Sequence, residues 1–194
     1  MDTIIQRENK ILREKAQEVE AEQIKSRKTQ TIIRRMQKAL DREEDGIAIA
    51  APQIGESLRI FVVSKKVFEI MKTSKEKNKV SEQSILNESE SPTREAEKPN
   101  DLVFINPTIV KVSKEKVVAE EGCLSVRWLY GLVKRARKVS VRAYDKGGKP
   151  FTFGGSGLMA QIFQHEIDHL NGILFTDKAR GLKEMSPSTQ NTKT

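Results

Sequence analysis

The chain has 194 residues, which is enough for one globular domain and gives no reason to expect two. Hydrophobic residues make up 37% and charged residues 32%, so we expect a compact core interrupted by polar segments. The net charge is +8, but basic residues are mixed with acidic ones and no aromatic ladder accompanies them. We therefore expect no sequence-specific nucleic-acid binding.

Membrane insertion and export are not expected either. No stretch approaches the roughly 20 apolar residues that span a bilayer. The first ten residues alternate charges with single isoleucines and lack the apolar region of a signal peptide. These features predict a protein without membrane contact that is cytoplasmic or carries an unrecognised targeting signal.

The N-terminal third is predicted to hold helices followed by a buried segment. Helical spacing indicates two pieces between Ile4 and Ala39, and the second has a clear apolar face. The apolar run 47–54 contains a proline and ends at Gly55, which predicts a strand-like loop in the interior. A short buried strand is expected at 59–64.

A polar segment divides the chain at about residues 72–100. It consists mainly of Lys, Glu, Ser and Asn, and we interpret it as a disordered or loosely helical insertion. Beyond it, Asn106-Pro107 is expected to form a turn, and 109–112 and 117–119 are expected to pair as strands. A single domain is then expected to span 1–183, with a mobile polar tail at 184–194.

The C-terminal third is predicted to contain a hairpin and a helix. Residues 139–144 alternate as a half-exposed strand should, and 145–148 read as a turn leading into a second strand. Residues 157–170 carry apolar residues at helical spacing, and Asn171-Gly172 is a typical helix end. The expected fold class is α+β, with antiparallel sheets packed around this C-terminal helix and helices from the N-terminus on one side.

The strongest chemical signal is an H-E-x-x-H segment inside that predicted helix. His165 and His169 are four residues apart, so both imidazoles project from one face and can bind one ion. Glu166 lies next to them, where it can take a proton from water. Two unconnected surface histidines would be the simpler explanation, but chance would also have to place the motif on an amphipathic helix.

Catalytic metal sites usually have three protein ligands, so one more is needed. The chain has no third histidine, which leaves a carboxylate or Cys123, the only cysteine. Cys123 follows a predicted strand, and Gly122 allows the backbone to turn there. A lone cysteine is more often a small buried hydrophobe, so the spacing alone does not decide the third ligand.

Three motifs together resemble the peptide deformylase family. They are Gly46 to Gln53, the E-G-C-L-S segment 121–125, and Gln164 to His169. Segments 11–16, 58–63 and 139–174 also look like the family, so the resemblance covers most of the chain outside the insertion and the tail. It implies hydrolysis of the N-formyl group from N-formylmethionyl peptides, the ends of nascent chains, with release of formate.

The resemblance also implies roles for individual residues. The metal ligands would be Cys123, His165 and His169, and Glu166 would carry protons. The Gln53 side chain and the Leu124 backbone N–H would stabilise the oxyanion. The residues expected to bind substrate are Gly46, Ile47, Ala48, Gly122, Leu158 and Ile162, although the apolar ones would also suit an ordinary core. Glu121 and Arg135 match positions that pair near the site.

The donor set suits several metal ions. The family resemblance implies one divalent ion, with Fe²⁺ as the working metal in vivo, while Zn²⁺, Ni²⁺ or Co²⁺ would also bind. A contact with the ribosome is a weaker expectation, based on the family's substrate and on Lys178, Arg180 and Lys183. Such residues usually are only solvated.

Three positions depart from the family pattern. Ala48 replaces a usual glycine, which adds a methyl group that could narrow the groove. Trp128 stands where small turn residues are usual, and Tyr130 falls at about the position of an arginine that helps to bind peptide. These departures keep two alternatives open: a divergent H-E-x-x-H metallopeptidase, and an inactive metal-binding or ribosome-associated relative. Intact Glu166 and Gln53 argue against loss of catalysis.

Overall fold

The structure is a computed structural model that describes residues 3–79 and 100–185, with backbone only for residues 74–79. Residues 80–99 of the predicted insertion and residues 186–194 of the predicted tail lie outside the described residues. Its α-helices are α1 (Arg27–Asp41), α2 (Lys66–Lys79) and α3 (Leu158–Leu170). Its strands are β1 (Ala48–Ala50), β2 (Ile60–Val63), β3 (Leu102–Val112), β4 (Lys116–Gly122), β5 (Leu129–Ala136), β6 (Lys138–Tyr144), β7 (Pro150–Ser156) and β8 (Arg180–Glu184).

The strands form two antiparallel sheets with α3 against both. The larger sheet has the order β1-β2-β3-β6-β7, and the smaller one has the order β4-β5-β8. Helix α3 contacts β1, β2, β6 and β7 of the larger sheet and β5 of the smaller one. The predicted α+β fold with antiparallel sheets around the C-terminal helix is therefore confirmed. Among the described residues, no helix combines the length and the apolar character that crossing a bilayer demands.

Helix α3 is held by an apolar face and by a tightly fitted C-terminus. Its Phe163 packs against Phe104, with ring centroids 5.2 Å apart, in the core of the larger sheet. The helix ends at Leu170, and Gly172 follows with a φ of 73°. A Cβ at Gly172 would lie 2.5 Å from the carbonyl oxygen of Arg13, so only glycine fits there. These contacts fix the position of α3 in the fold, and with it the position of the two histidines that it carries.

The first predicted helical piece is wrong. Before α1 the chain forms two short 3₁₀ helices, Lys10–Arg13 and Ala21–Gln23, joined by extended backbone. The extended backbone pairs with other elements: the Ala16 N–H donates to the carbonyl of Leu170 at 3.0 Å, and the Gln17 N–H to that of Ser57 at 2.9 Å. Because these amides bond across the molecule, they are not available for an α-helix.

The strand prediction after the insertion also needs correction. Asn106-Pro107 does not turn the chain, because β3 continues through it with a shift in register. Asn106 has a φ of 51°, and its side chain bonds both the N–H and the carbonyl of Val19, at 2.8 and 2.7 Å. The predicted pairing of 109–112 with 117–119 is wrong: β3 pairs with β6, and β4 pairs with β5.

Candidate metal centre and pocket

Three side chains capable of binding a metal converge where β4 ends beside α3. They are Cys123, His165 and His169, whose ligand atoms all lie within 4.8 Å of one another. The Cys123 Sγ lies 3.2 Å from the Nε2 of His169. Of the alternatives that spacing left open for the third donor, the structure places the cysteine beside the two histidines. Both histidines come from one face of α3, and their ring centroids are 4.9 Å apart.

A buried chain of charged groups orients the first histidine. The Nδ1 of His165 lies 2.9 Å from a carboxylate oxygen of Glu121. Arg135 donates to both oxygens of Glu121, at 2.7 and 2.8 Å, and to Asp168 at 2.5 Å. The Lys178 ammonium donates to Asp168 at 2.7 Å. Because Glu121 occupies Nδ1, the Nε2 of His165 is the ring nitrogen left to bind a metal.

The thiol of Cys123 receives two N–H groups. The Ser125 backbone N–H lies 3.4 Å from Sγ, and the Nε2 of Gln53 lies 3.6 Å from it. The orientation of the Gln53 amide is determined by its other partners, since its Oε1 accepts from the Ala50 N–H at 2.8 Å and its Nε2 donates to the Ser125 Oγ at 3.1 Å. A thiolate at this position would therefore be stabilised by hydrogen bonds.

This donor set fits a divalent transition metal. One sulfur and two imidazole nitrogens would provide three protein ligands, the number usual in catalytic zinc sites, and a pocket opens beside Cys123 and His165. Among the described residues, two buried side-chain atoms lack a hydrogen-bond partner: the Oε2 of Glu166 and the Nδ1 of His169. Buried polar atoms are rarely left unpaired, and the unpaired Glu166 oxygen belongs to the residue next to a donor.

The pKa of Glu166 is raised toward neutral pH. Burial raises the pKa of Glu166 to about 7, an effect that His165 opposes and Glu121 reinforces. A carboxyl group with such a pKa can both accept and donate a proton near neutral pH.

Glu121 shows the opposite shift. Its burial would raise the pKa, but hydrogen bonds from Arg135 and His165 outweigh burial and lower the pKa of Glu121 to about 2. The pKa values of the two buried carboxyl groups near the metal donors are therefore shifted in opposite directions, because only Glu121 has an arginine partner.

A pocket of about 310 Å³ opens beside these groups. All of the residues predicted for the site line it except His169, which is buried behind the others with 1% of its surface exposed. The lining members of the predicted set are Gly46, Ile47, Ala48, Gln53, Gly122, Cys123, Leu124, Leu158, Ile162, His165 and Glu166. Three sequence motifs far apart in the chain thus meet at one cavity.

The three departures from the family pattern also lie at this pocket. Ala48 belongs to β1 and has a negative φ, so its methyl group does not strain the backbone. The ring of Tyr130 packs against Gly122, where a Cβ would lie 2.7 Å from a ring carbon. Trp128 lines the pocket with 37% of its surface exposed. The bulky residues therefore shape the cavity without displacing the metal donors.

Sequence reasoning missed part of the supporting network. Asp168 and Ser125 belong to the sequence motifs, but no role was predicted for either of them. Lys178 was expected to be solvated or to contact the ribosome. In the structure Asp168 links Arg135 to Lys178, and Ser125 is fully buried against Gln53. A polar residue inside the helix motif and another beside the cysteine were the available signals, but their partners are distant in sequence.

Comparison with known proteins agrees with this geometry. The chain matches the polypeptide deformylase family over residues 1–185. It is 38% identical to a peptide deformylase of Desulforudis audaxviator over 179 residues, which are 91% of this chain and 92% of that protein. It is 36% identical to peptide deformylase 2 of Clostridium acetobutylicum, covering 88% and 89% of the two chains. A Met-Ala-Ser-bound class I type b peptide deformylase of Acinetobacter baumannii superimposes with a TM-score of 0.69 at 31% identity, covering 90% of this chain and 97% of the other.

Proposed function

The chain belongs to the peptide deformylase family, metal-dependent hydrolases that remove the formyl group from nascent chains, and we propose how its own residues perform that reaction. Cys123, His165 and His169 would hold one divalent ion, which when bound would polarise the formyl carbonyl and lower the pKa of water. The substrate is the N-formylmethionine end of a new polypeptide, and the products are formate and a free amine.

Glu166 carries the proton from water to the leaving amine. Its unpaired Oε2 accepts a proton as the water oxygen adds to the formyl carbon. When the C–N bond breaks, the same carboxyl group returns the proton to the peptide nitrogen. A pKa of about 7 suits both transfers.

Gln53 and Leu124 stabilise the negative charge that develops on the formyl oxygen. The Nε2 of Gln53 lies 3.6 Å from the Cys123 sulfur, and its amide is oriented by the Ala50 N–H. Leu124 follows Cys123 directly, and its carbonyl accepts from the side chain of Gln6 at 3.1 Å, which restrains the loop. Donors that are oriented before the reaction need no reorganisation during it.

The methionine side chain binds in the apolar part of the pocket. Ile47, Leu158 and Ile162 line the pocket and pack with the core of the larger sheet, so that wall is preformed. Gly46, Ala48 and Gly122 border the same cavity and leave space for the peptide backbone.

The observation that carries this proposal is the convergence of Cys123, His165 and His169 beside a buried Glu166. The test is formate release from formyl-Met-Ala-Ser by the metal-loaded protein. Glu166→Ala and chelation should each abolish release, and metal analysis should show that Glu166→Ala still binds the ion. Undiminished release by Glu166→Ala would overturn the proton-transfer role, and cleavage within the peptide without formate would overturn the assigned reaction.

For the working metal we propose Fe²⁺, with Zn²⁺, Ni²⁺ and Co²⁺ able to occupy the same donors. A sulfur ligand makes the centre sensitive to oxidation. Protein purified without oxygen should contain iron and lose activity in air, while the nickel form should survive longer. A protein that is fully active only with zinc would exclude iron as the working ion.

We also propose that the protein acts in the cytoplasm, where nascent chains emerge, and that it contacts the ribosome. Arg180 and Lys183 lie exposed on β8, whereas Lys178 is engaged with Asp168 and is not a free cation for this purpose. The proposed domain extends over residues 1–183, although β8 continues to Glu184. Co-sedimentation with ribosomes at low salt, weakened by Arg180→Ala with Lys183→Ala, tests the contact; no co-sedimentation refutes it.

A further inference from the structure

An exposed tryptophan stands at the mouth of the pocket. Trp128 is the only tryptophan of the chain, and 37% of its surface is exposed although it lines the cavity. The loop that carries it stays close to the metal donors because the Val126 N–H bonds the Cys123 carbonyl at 3.0 Å and the Leu129 N–H bonds the Val126 carbonyl at 3.1 Å. Tryptophan is enriched at binding surfaces, because its large ring buries much apolar area on contact.

Arg127 covers part of this ring. Its guanidinium carbon lies 5.0 Å from the Trp128 ring centroid, within the range of a cation–π contact. The same guanidinium donates to Asp45 at 2.6 Å and also to Glu43. Arg127 is only 22% exposed at its side chain, so these interactions are partly shielded from water. The indole is therefore held in place from one side.

The ion pairs of Arg127 with Glu43 and Asp45 connect two segments of the chain beside the pocket. Glu43 and Asp45 precede β1 on one side, whereas Arg127 and Trp128 follow Cys123 on the other. The Met185 N–H also bonds the Trp128 carbonyl at 2.9 Å, which ties the loop to the end of β8. A ring fixed in this way presents a flat apolar surface to a bound peptide. Because the ring is already ordered, it loses little conformational entropy when the peptide binds.

The charges around the pocket indicate what the surface would accept. Among the described lining residues, Arg127 is the only lysine or arginine, and two carboxylates already neutralise it. The carboxylates of Asp45 and Glu120 also belong to the lining. An acidic side chain would thus gain no cation here, whereas an aromatic or large apolar one would gain the indole surface.

We propose that Trp128, positioned by Arg127, is a platform for an aromatic or large apolar side chain on the first or second residue after formylmethionine. This inference rests on the proposed function, because the reaction anchors the formyl end beside Cys123. Trp128 determines specificity by contact with substrate, and Arg127 acts through Trp128 as a positioning residue.

The kinetic test uses competition among formyl peptides. Formyl-Met-Ala-Ser competes with formyl-Met-Phe-Ser, formyl-Met-Ala-Phe and formyl-Met-Glu-Ser, and relative kcat/KM values are read from formate and free amine. We expect one phenylalanine peptide to be preferred by a factor of roughly 5–10, as for a stacked aromatic pair, and the glutamate peptide to be disfavoured. Trp128→Ala should bring the phenylalanine ratio close to one, and Trp128→Phe should retain much of it.

Two further variants separate contact from general damage. Arg127→Gln keeps the indole and should reduce the phenylalanine preference. Leu132→Ala removes a similarly exposed apolar side chain that does not line the pocket, and should leave the ratio as in the wild type. An equal ratio in wild type and Trp128→Ala, or no preference in the wild type, would overturn the platform.

A second measurement does not depend on turnover. Because Trp128 is the only tryptophan, its fluorescence reports on this site alone. Titration with the product peptide Met-Phe-Ser, or Met-Ala-Phe, should shift the emission to the blue and reduce quenching by acrylamide, more than Met-Ala-Ser does. Unchanged emission at saturating peptide would refute the platform even if formate is released; a clear shift without any formate release would instead refute the proposed reaction.

Discussion

Both the oxygen and the nitrogen of the Gln53 side-chain amide form hydrogen bonds, and only 2% of the residue's surface is exposed. Its Oε1 is fixed by the Ala50 N–H, so the Nε2 must point toward Ser125 and the thiol. We expect Gln53→Leu to lower kcat by about 10²–10³, the effect of removing one oxyanion donor. Steady-state formate release with metal content measured in parallel checks this.

A matched control is available in the partner of Gln53. Ser125→Ala removes the Oγ that accepts from Gln53 but leaves the Nε2 donor in place. This variant should lose far less activity than Gln53→Leu. Equal losses in the two variants would show that the Gln53 amide matters only for packing.

Ala48 gives a prediction about stability. It lies in β1 with 8% exposure and a negative φ, so glycine would gain no backbone advantage there. We expect Ala48→Gly to lower the free energy of unfolding by about 0.5–1 kcal/mol, because glycine loses more entropy in a strand. Urea unfolding measures the difference, and Ala50→Gly in the same strand should behave alike. A more stable Ala48→Gly protein would contradict the conclusion that Ala48 is unstrained in β1.

At the residue scale, the sequence predicted the metal-binding side chains better than the residues that hold those side chains in place. Local spacing on one helix was enough to pair His165 with His169, because helical geometry is known in advance. Cys123 needed the family resemblance, since its approach to α3 depends on how β4 ends. The contacts of Asp168 with Arg135 and Lys178 join separate elements, and no spacing rule predicts such contacts.

At the scale of elements, β5 and α3 are joined by the buried ion pairs of Arg135. Arg135 is 3% exposed and holds Glu121, which is 4% exposed, together with Asp168. Arg135→Ala would leave Glu121 buried without a cationic partner other than His165, and Asp168 with Lys178 alone. We expect a loss of about 3–5 kcal/mol in the free energy of unfolding, the usual result of breaking a buried pair from one side. Chemical denaturation of the metal-free proteins is the measurement.

The control for Arg135 lies two residues further along the chain. Arg137 pairs with Glu115 at 2.6 Å, but both side chains are more than half exposed. Surface pairs contribute about 0–1 kcal/mol, so Arg137→Ala should unfold nearly as the wild type does. Similar midpoints for Arg135→Ala and Arg137→Ala would mean that the network does not support the fold.

The elements that the sequence predicted well are those with local determinants. The β6–β7 hairpin follows from alternation and a turn, and α3 follows from its apolar face and the glycine behind it. The pairing of β4 with β5 and the extended N-terminal segment were missed. Both depend on partners far along the chain, such as the bond from Ala16 to Leu170, which local propensity does not encode.

At the scale of the whole molecule, the metal donors lie where separate parts of the core meet. Ile162 belongs to the cluster around the larger sheet, Leu124 to the cluster around α1, and Cys123 packs against a third that includes Val133 and Phe175. A metal that joins Cys123 to α3 would therefore connect the third cluster to the first, to which Ile167 and Leu170 of α3 also belong. Metal binding should stabilise the folded domain as a unit, because the unfolded chain does not hold the donors together.

Thermal unfolding tests this linkage. A metal at about 100 times its Kd adds about 2.7 kcal/mol to stability, which for a domain of this size raises Tm by roughly 5–10 °C. Cys123→Ala removes one of the three donors, so its Tm should respond much less to the same Ni²⁺ or Zn²⁺ concentration. Ser125→Ala, which changes a neighbour of the cysteine but no donor, should respond as the wild type does. If added metal stabilised Cys123→Ala as strongly as the wild type, the ion would have to be bound elsewhere, and the cysteine would be a packing residue beside the two histidines.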